Sequence, residues 1–234
     1  FGYWSSVQSA QEALLNLRAD AESTSTYFVV ELMGRKAGWL TYAAGIAGES
    51  VMMVSLEDIE EEVLDLEKLA GKIVEVIITR EKQDKYYGVV CVAEGLADRL
   101  PEKYRPTEKD RHGNVILGTA EVCRIIRDAC EEAYHQRTGR KKKIVAKQIG
   151  YETRCTQPIS FDVVLGAMLG FGAFKLFRLE SFNNMVSVSD NFQIVPVPFS
   201  ELIDPESLLT KLRNVPKGSD FFELKEALSY KSLE

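Results

Sequence analysis

The chain has 234 residues, 45% of them hydrophobic and 27% charged, which is apolar material for one large core or two smaller ones and excludes a disordered or fibrous protein. Thirty-five acidic against 29 basic residues leave a net charge of -6, so nothing draws the whole chain to nucleic acid or to an anionic membrane, and a bound anion needs a few placed cations. Four scattered cysteines without a C-x-x-C pair, beside only two histidines, exclude a disulfide scaffold and a zinc site.

In chain order, Val7, Ala10, Leu14 and Leu17 stand at helical spacing, and the polar run 21–26 breaks the pattern. Tyr27 to Leu32 reads as a strand apolar on both faces, as in a parallel sheet, and Met33-Gly34-Arg35 follows it directly. The small residues between Gly38 and Gly48 predict a helix packed closely on a sheet, and Val51 to Val54 the next strand. The acidic segment Glu57 to Glu67 reads as the solvated opening of a longer helix through Leu69, Ile73, Val76 and Ile77, its charges suiting the helix dipole.

Gly88 to Ala93 is another apolar strand, ending in Glu94-Gly95, and the prolines and charges of the next twenty residues predict a long surface loop. A helix over 119–138 closes at Gly139, and a basic turn leads into strand Ile144 to Ile149. After a turn at 150–158, Ser160 is expected to cap a helix with Val164, Leu165, Met168, Leu169, Ala173 and Leu176 inward. Residues 185–189 and 192–197 form a hairpin or two edge strands, and the tail from Asp204 carries two short helical patterns. No apolar run approaches the roughly 20 residues of a membrane span and no basic-then-apolar leader opens the chain, so a soluble, cytoplasmic protein is expected. The start at Phe1 rather than at a methionine suggests a fragment.

This alternation of strand and helix predicts α/β layers with a mostly parallel sheet, in which ligands bind outside the carboxyl ends of the strands. Three strands end in chemically loaded residues: Arg35, Glu94, and Tyr151 with Arg154. An arginine fork fits phosphate, a glutamate fits sugar hydroxyls, and Gly34 and Gly150 let the backbone approach a ligand, so the set reads as a site for a phosphorylated polyol. The alternative is an internal ion-pair network of Arg35, Glu94 and Arg154, with Arg154 held by a carboxylate such as Asp162. No phosphate-loop spacing and no nucleophile with a base is found, and His112 and His135 lie away from the strand ends.

The segment Val30-Glu31-Leu32-Met33-Gly34-Arg35-Lys36-Ala37-Gly38-Trp39, the strand end Val92-Ala93-Glu94-Gly95 and the run Ile149-Gly150-Tyr151-Glu152-Thr153-Arg154, in this order, resemble the phosphofructokinase family over nearly the whole chain. The resemblance implies a two-lobed α/β fold with mostly parallel sheets, its N-terminal part missing here. Residues 1–155 would then be the remainder of the first lobe with the sugar-phosphate lobe, and 156–234 a helix, edge strands and a helical tail packing back. It implies a glycolytic transferase acting on the 1-hydroxyl of fructose 6-phosphate with magnesium, in the cytoplasm, as a homo-oligomer. Met33, Gly34 and Arg35 would hold the sugar phosphate, Glu94 the sugar hydroxyls, and Tyr151, Glu152, Thr153 and Arg154 would close over sugar and phosphate.

Tyr151 stands where many ATP-dependent members have histidine, and together with Pro196-Val197-Pro198-Phe199 it looks like the pyrophosphate-dependent branch. The alternatives are an ATP-dependent enzyme or a non-catalytic sugar-phosphate-binding subunit. The family's Gly-Gly-Asp loop and its Thr-Ile-Asp-Asn-Asp segment, which supplies base and magnesium ligand, are absent. The resemblance therefore implies no catalytic or metal residue in this chain and no activity alone. Thr26 falls where many members have an arginine reaching a neighbouring subunit's sugar phosphate, and Lys147 is the candidate substitute across a subunit interface.

Overall fold

In a computed structural model, residues 2–34, 36–108 and 117–230 are described. By contacts the chain divides into a smaller unit, residues 1–6 with 156–213, and a larger one, residues 7–155 with 214–234. The chain thus changes unit at 155/156 and again at 213/214, and the residues beyond the second change belong to the larger unit.

The larger unit is built on a parallel sheet of β1 (Tyr27–Leu32), β2 (Met52–Val54), β3 (Gly88–Ala93) and β4 (Ile144–Ile149), in the order β2-β3-β1-β4. Every residue of β1 and β3 is buried, as expected for strands covered on both faces. One face carries α3 (Leu66–Glu81) and α4 (Val122–Thr138), whose Ile73, Ile77, Cys123 and Ile126 pack against Val29, Val90 and Val92. The other carries α2 (Trp39–Ala47) and the body of α1 (Tyr3–Thr24), where Leu14, Tyr42 and Ala44 meet Phe28, Val30 and Met53. α1 runs four residues past Asp20 before the chain turns into β1.

The acidic run departs from the expected helix. α3 begins only at Leu66, where the Asp65 carboxylate accepts from the Lys68 N–H at 2.9 Å. Upstream, Glu57 is buried and accepts from the backbone N–H groups of Gly38 (2.9 Å) and Val215 (3.0 Å). Asp58 accepts from the Tyr42 hydroxyl at 2.7 Å and pairs with the buried ammonium of Lys225 on α8 (Asp220–Leu228). These two charges are tertiary anchors, not a solvated face: they tie the start of α2 to the returning C-terminal segment. There Phe221 stacks on Trp39 and Phe222 meets Tyr42 edge-on. The expected loop after β3 contains 3-10 turns at Glu94–Arg99 and Glu102–Tyr104, and its run 109–116, with His112, lies outside the described residues.

A short α5 (Tyr151–Arg154) follows β4. The smaller unit holds α6 (Ser160–Arg178) and an antiparallel hairpin of β5 (Asn184–Val188) and β6 (Ile194–Pro198), followed by α7 (Phe199–Leu202). Ser160 is the first residue of α6 rather than its cap, and the cap position, Ile159, makes no side-chain cap bond. The hairpin packs so closely on α6 that a Cβ at Gly172 would stand 2.5 Å from Val186 Cγ1. Asp162 is buried and accepts from Gly2 N–H (2.9 Å), Ser5 N–H (2.7 Å) and the Ser5 hydroxyl (2.6 Å), an anion at the first turn of α1 rather than a partner for Arg154. Burial works against ionisation of Asp162, and the hydrogen bonds from Ser5 and Gly2 outweigh it and hold its pKa below the ordinary value.

α6 also corrects the hydropathy expectation. Over an 18-residue window its mean hydropathy is 1.5, enough by length and composition alone to cross a membrane, a test that a core helix of a globular protein also passes. Counting unbroken apolar residues overlooks it because Gly166, Gly170 and Gly172 interrupt the run. Of the six residues expected inward, only Leu176 is buried.

Candidate functional site

The sheet register brings the loaded strand ends together. Leu32 lies opposite Ala93 on one side and Ile149 on the other, so Met33, Glu94 and Gly150 leave the sheet as neighbours. The helix that follows β1, α2, covers one face and the helix that precedes β4, α4, covers the other, which opens a crevice at the carboxyl ends of these strands. A cleft of about 320 Å3 there is lined by Met33, Glu94, Lys147, Gln148, Glu152 and Arg154, together with Glu31 and Gly150.

Hydrogen bonds knit the three motifs. Gly34 has φ 144°, a conformation that a side chain disfavours, and its N–H donates to Glu94 Oε2 at 3.3 Å. Thr153 is buried, and its hydroxyl donates to Gly150 O at 2.7 Å and lies 3.3 Å from Met33 Sδ. Glu152 turns back on its own loop to accept from Gly150 N–H at 3.0 Å. Arg154 is exposed at the end of α5, the helix that Tyr151 opens. Arg35 lies outside the described residues. Thr26, where an arginine was the family expectation, is buried, and Lys147 is exposed on β4.

The structure adds a residue that the reading of β1 as apolar on both faces passed over. Glu31, next to the last residue of that strand, is only 2% exposed. Its Oε2 accepts from Cys123 N–H at 3.1 Å, in the first turn of α4, and its Oε1 from Gln148 Nε2 at 3.0 Å. Burial raises its pKa above the ordinary carboxylate value, Glu94 pushes the same way, and the bonds from Cys123 and Gln148 oppose the rise. The signal available beforehand was a single acidic residue inside an otherwise apolar run, which burial permits only with compensating partners.

These carboxylates do not fit a magnesium ion. Both oxygens of Glu31 and one of Glu94 already accept from N–H groups, Glu152 is turned onto Gly150, and no group of three or more His, Cys, Asp or Glu suited to a metal occurs among the described residues. What the cleft offers is a rim of cations, Lys147 and Arg154, beside acceptors, Glu94 and Gln148. That combination suits a ligand with an anionic group and several hydroxyls.

The chain is similar to known proteins over most of its length. The chain is 32% identical over 234 residues to a pyrophosphate--fructose 6-phosphate 1-phosphotransferase of Thermotoga maritima, covering 96% of this chain and 55% of that protein. It is 29% identical over 231 residues to an ATP-dependent 6-phosphofructokinase of Spirochaeta thermophila, covering 97% of this chain and 56% of the relative. The chain thus spans about half the length of the curated relatives it matches. The crystal structure of a pyrophosphate-dependent phosphofructokinase from Marinobacter aquaeolei superimposes with a TM-score of 0.57 at 18% identity, over 93% of this chain and 50% of that one, a likeness of fold. The family model for phosphofructokinase matches residues 1–177, and the chain belongs to that family.

Proposed function

We propose that this chain supplies the fructose 6-phosphate site of a 6-phosphofructokinase that takes its phosphoryl group from pyrophosphate, giving fructose 1,6-bisphosphate. The observation that carries the reading is the convergence of Met33-Gly34, Glu94 and Gly150 to Arg154 on one cleft at three adjacent strand ends. In this reading Met33, Gly34 and Arg35 cradle the sugar phosphate and Glu94 accepts from its hydroxyls. Tyr151, Glu152, Thr153 and Arg154 form the closing segment, with Arg154 opposing the 6-phosphate charge. Thr153, being buried, acts by holding the turn at Gly150 rather than by touching the ligand.

The catalytic base, the donor-phosphate loop and the magnesium ligands belong to the part of the relatives' length that this chain does not span, and that part also covers the apolar face of α6. Pyrophosphate as donor is supported by the first-named relative and by Tyr151 where many ATP-dependent members have histidine. Assembly into a homo-oligomer, with Lys147 reaching a neighbouring copy's ligand, follows the same family pattern.

The test is to assay the chain alone and the product of its complete reading frame with fructose 6-phosphate, magnesium and either pyrophosphate or ATP. We expect no turnover from the chain alone, and faster formation of fructose 1,6-bisphosphate with pyrophosphate than with ATP from the complete product. Turnover by the chain alone overturns the division of labour, preference for ATP overturns the donor, and an inactive complete product that still binds fructose 6-phosphate means a regulatory binder.

A further inference from the structure

We infer that Gln148 presents its side-chain carbonyl oxygen to a hydroxyl of the bound sugar phosphate and that Glu31 is the residue that positions it, an inference that rests on the sugar-phosphate reading above. Gln148 Nε2 lies 3.0 Å from Glu31 Oε1 and 2.8 Å from the carbonyl oxygen of Gly118. Both partners are acceptors, so only the NH2 end of the amide satisfies them, and its two hydrogens are thereby used. The amide oxygen is turned the other way, and among the described residues no donor reaches it.

That oxygen belongs to a side chain lining the cleft that Glu94 lines. The two are neighbours: a Cβ on Gly118 would stand 3.4 Å from Glu94 Oε1 and 4.0 Å from Gln148 Nε2. Acceptors lining one cleft repel a phosphate or a carboxylate and attract the O–H groups of a polyol. This end of the cleft therefore reads the sugar, and the cation Arg154 is left to read the phosphate.

Glu31 completes the device. A carboxylate buried in a strand needs partners, and this one joins the first turn of α4 to the Gln148 amide. The cap residue of α4, Glu121, makes no side-chain cap bond of its own, so the same anion steadies that helix and aims the amide.

The experiment is ligand-observed saturation-transfer NMR on the 234-residue chain, titrated separately with fructose 6-phosphate and with inorganic phosphate. Gln148→Met keeps the shape and removes the amide. It should bind fructose 6-phosphate about three- to tenfold more weakly, the worth of one neutral hydrogen bond, with inorganic phosphate unchanged. Glu31→Gln should weaken the sugar phosphate in the same selective way, and the double variant should be no weaker than Gln148→Met alone, because both act through one amide. A purely structural Glu31 would give additive losses instead. Should Gln148→Met fail to fold, the wild-type chain still decides: its Gln148 side-chain NH2 signals should move on adding fructose 6-phosphate and stay put with inorganic phosphate. Equal affinity of wild type and Gln148→Met, parallel loss of phosphate binding, or unmoved NH2 signals overturn the assignment and leave the sugar-phosphate reading standing. No saturation transfer from the wild-type chain to fructose 6-phosphate overturns both.

Discussion

The two compact units treat their apolar residues in opposite ways. In the larger, β1 and β3 are buried at every position, Ile73, Val90 and Val92 are sealed between α3, α4 and the sheet, and the C-terminal segment returns to close the far side. In the smaller, the long apolar helix α6 exposes Phe171, Phe174 and Phe177 at 57, 58 and 69%. Exposed aromatics spaced three residues apart on one helix mark a surface built to be covered. The larger unit has a core that its own residues finish, whereas α6 carries half of one, in keeping with a chain about half as long as its relatives.

The contrast makes its largest prediction in the core. Ile73 is fully buried. Ile73→Ala should cost about 2–5 kcal/mol from the lost burial and the cavity left behind, read as a lowered urea midpoint with an unchanged slope. A cost under about 1 kcal/mol would mean that this core is loosely packed and that the contrast with α6 is weaker than it looks.

Next comes Asp162, the polar anchor of the smaller unit. Asp162→Ala strands the N–H of Gly2, the N–H and hydroxyl of Ser5 and should cost about 3 kcal/mol. Its depressed pKa fixes the sign of the pH dependence: the stabilisation is complete above the ordinary aspartate value near ~4 and is lost as pH falls toward the lower folded value. Asp162→Asn should flatten that acid limb in a thermal melt followed against pH. An acid limb identical in wild type and Asp162→Asn would assign it to other carboxylates. Glu31 has the opposite sign. With a raised pKa it weighs against folding as pH rises through the ordinary carboxylate range, so Glu31→Gln should lose less stability at pH 7 than at pH 4.

How far the sequence carries depends on the range of the interactions involved. The parallel strands and the three loaded strand ends are local patterns, and the register then aligns Met33, Glu94 and Gly150 without further information. Glu57 and Asp58 were misjudged because an acidic run before an apolar one looks like any helix start. Their partners are Gly38, Val215 and Lys225, up to 167 residues away. Glu31 and Gln148 were passed over for the same reason: their pairing joins residues 117 positions apart, and only the β1–β4 register brings them opposite. The inward face assigned to α6 failed in a third way, since helical spacing reports an apolar stripe and not what covers it.

The smallest predicted effect on stability is the one that tests the comparison most directly. Phe177 and Phe174 stand 69% and 58% exposed, so Phe177→Ser, alone or with Phe174→Ser, removes less than half of each ring's area from burial and should move the unfolding free energy by no more than about 1–2 kcal/mol. The same changes should lower binding of an environment-sensitive apolar dye, because the stripe that attracts it is gone, and should reduce self-association at high protein concentration. In the product of the complete reading frame, where the remainder of the fold is proposed to lie over α6, the pair should instead cost several kcal/mol, in the range of buried aromatic truncations of about 3–5 kcal/mol each. A large loss in the chain alone would mean that α6 already has its partner within these 234 residues, and equal tolerance in both contexts would mean that the stripe faces something other than the proposed further length of the fold.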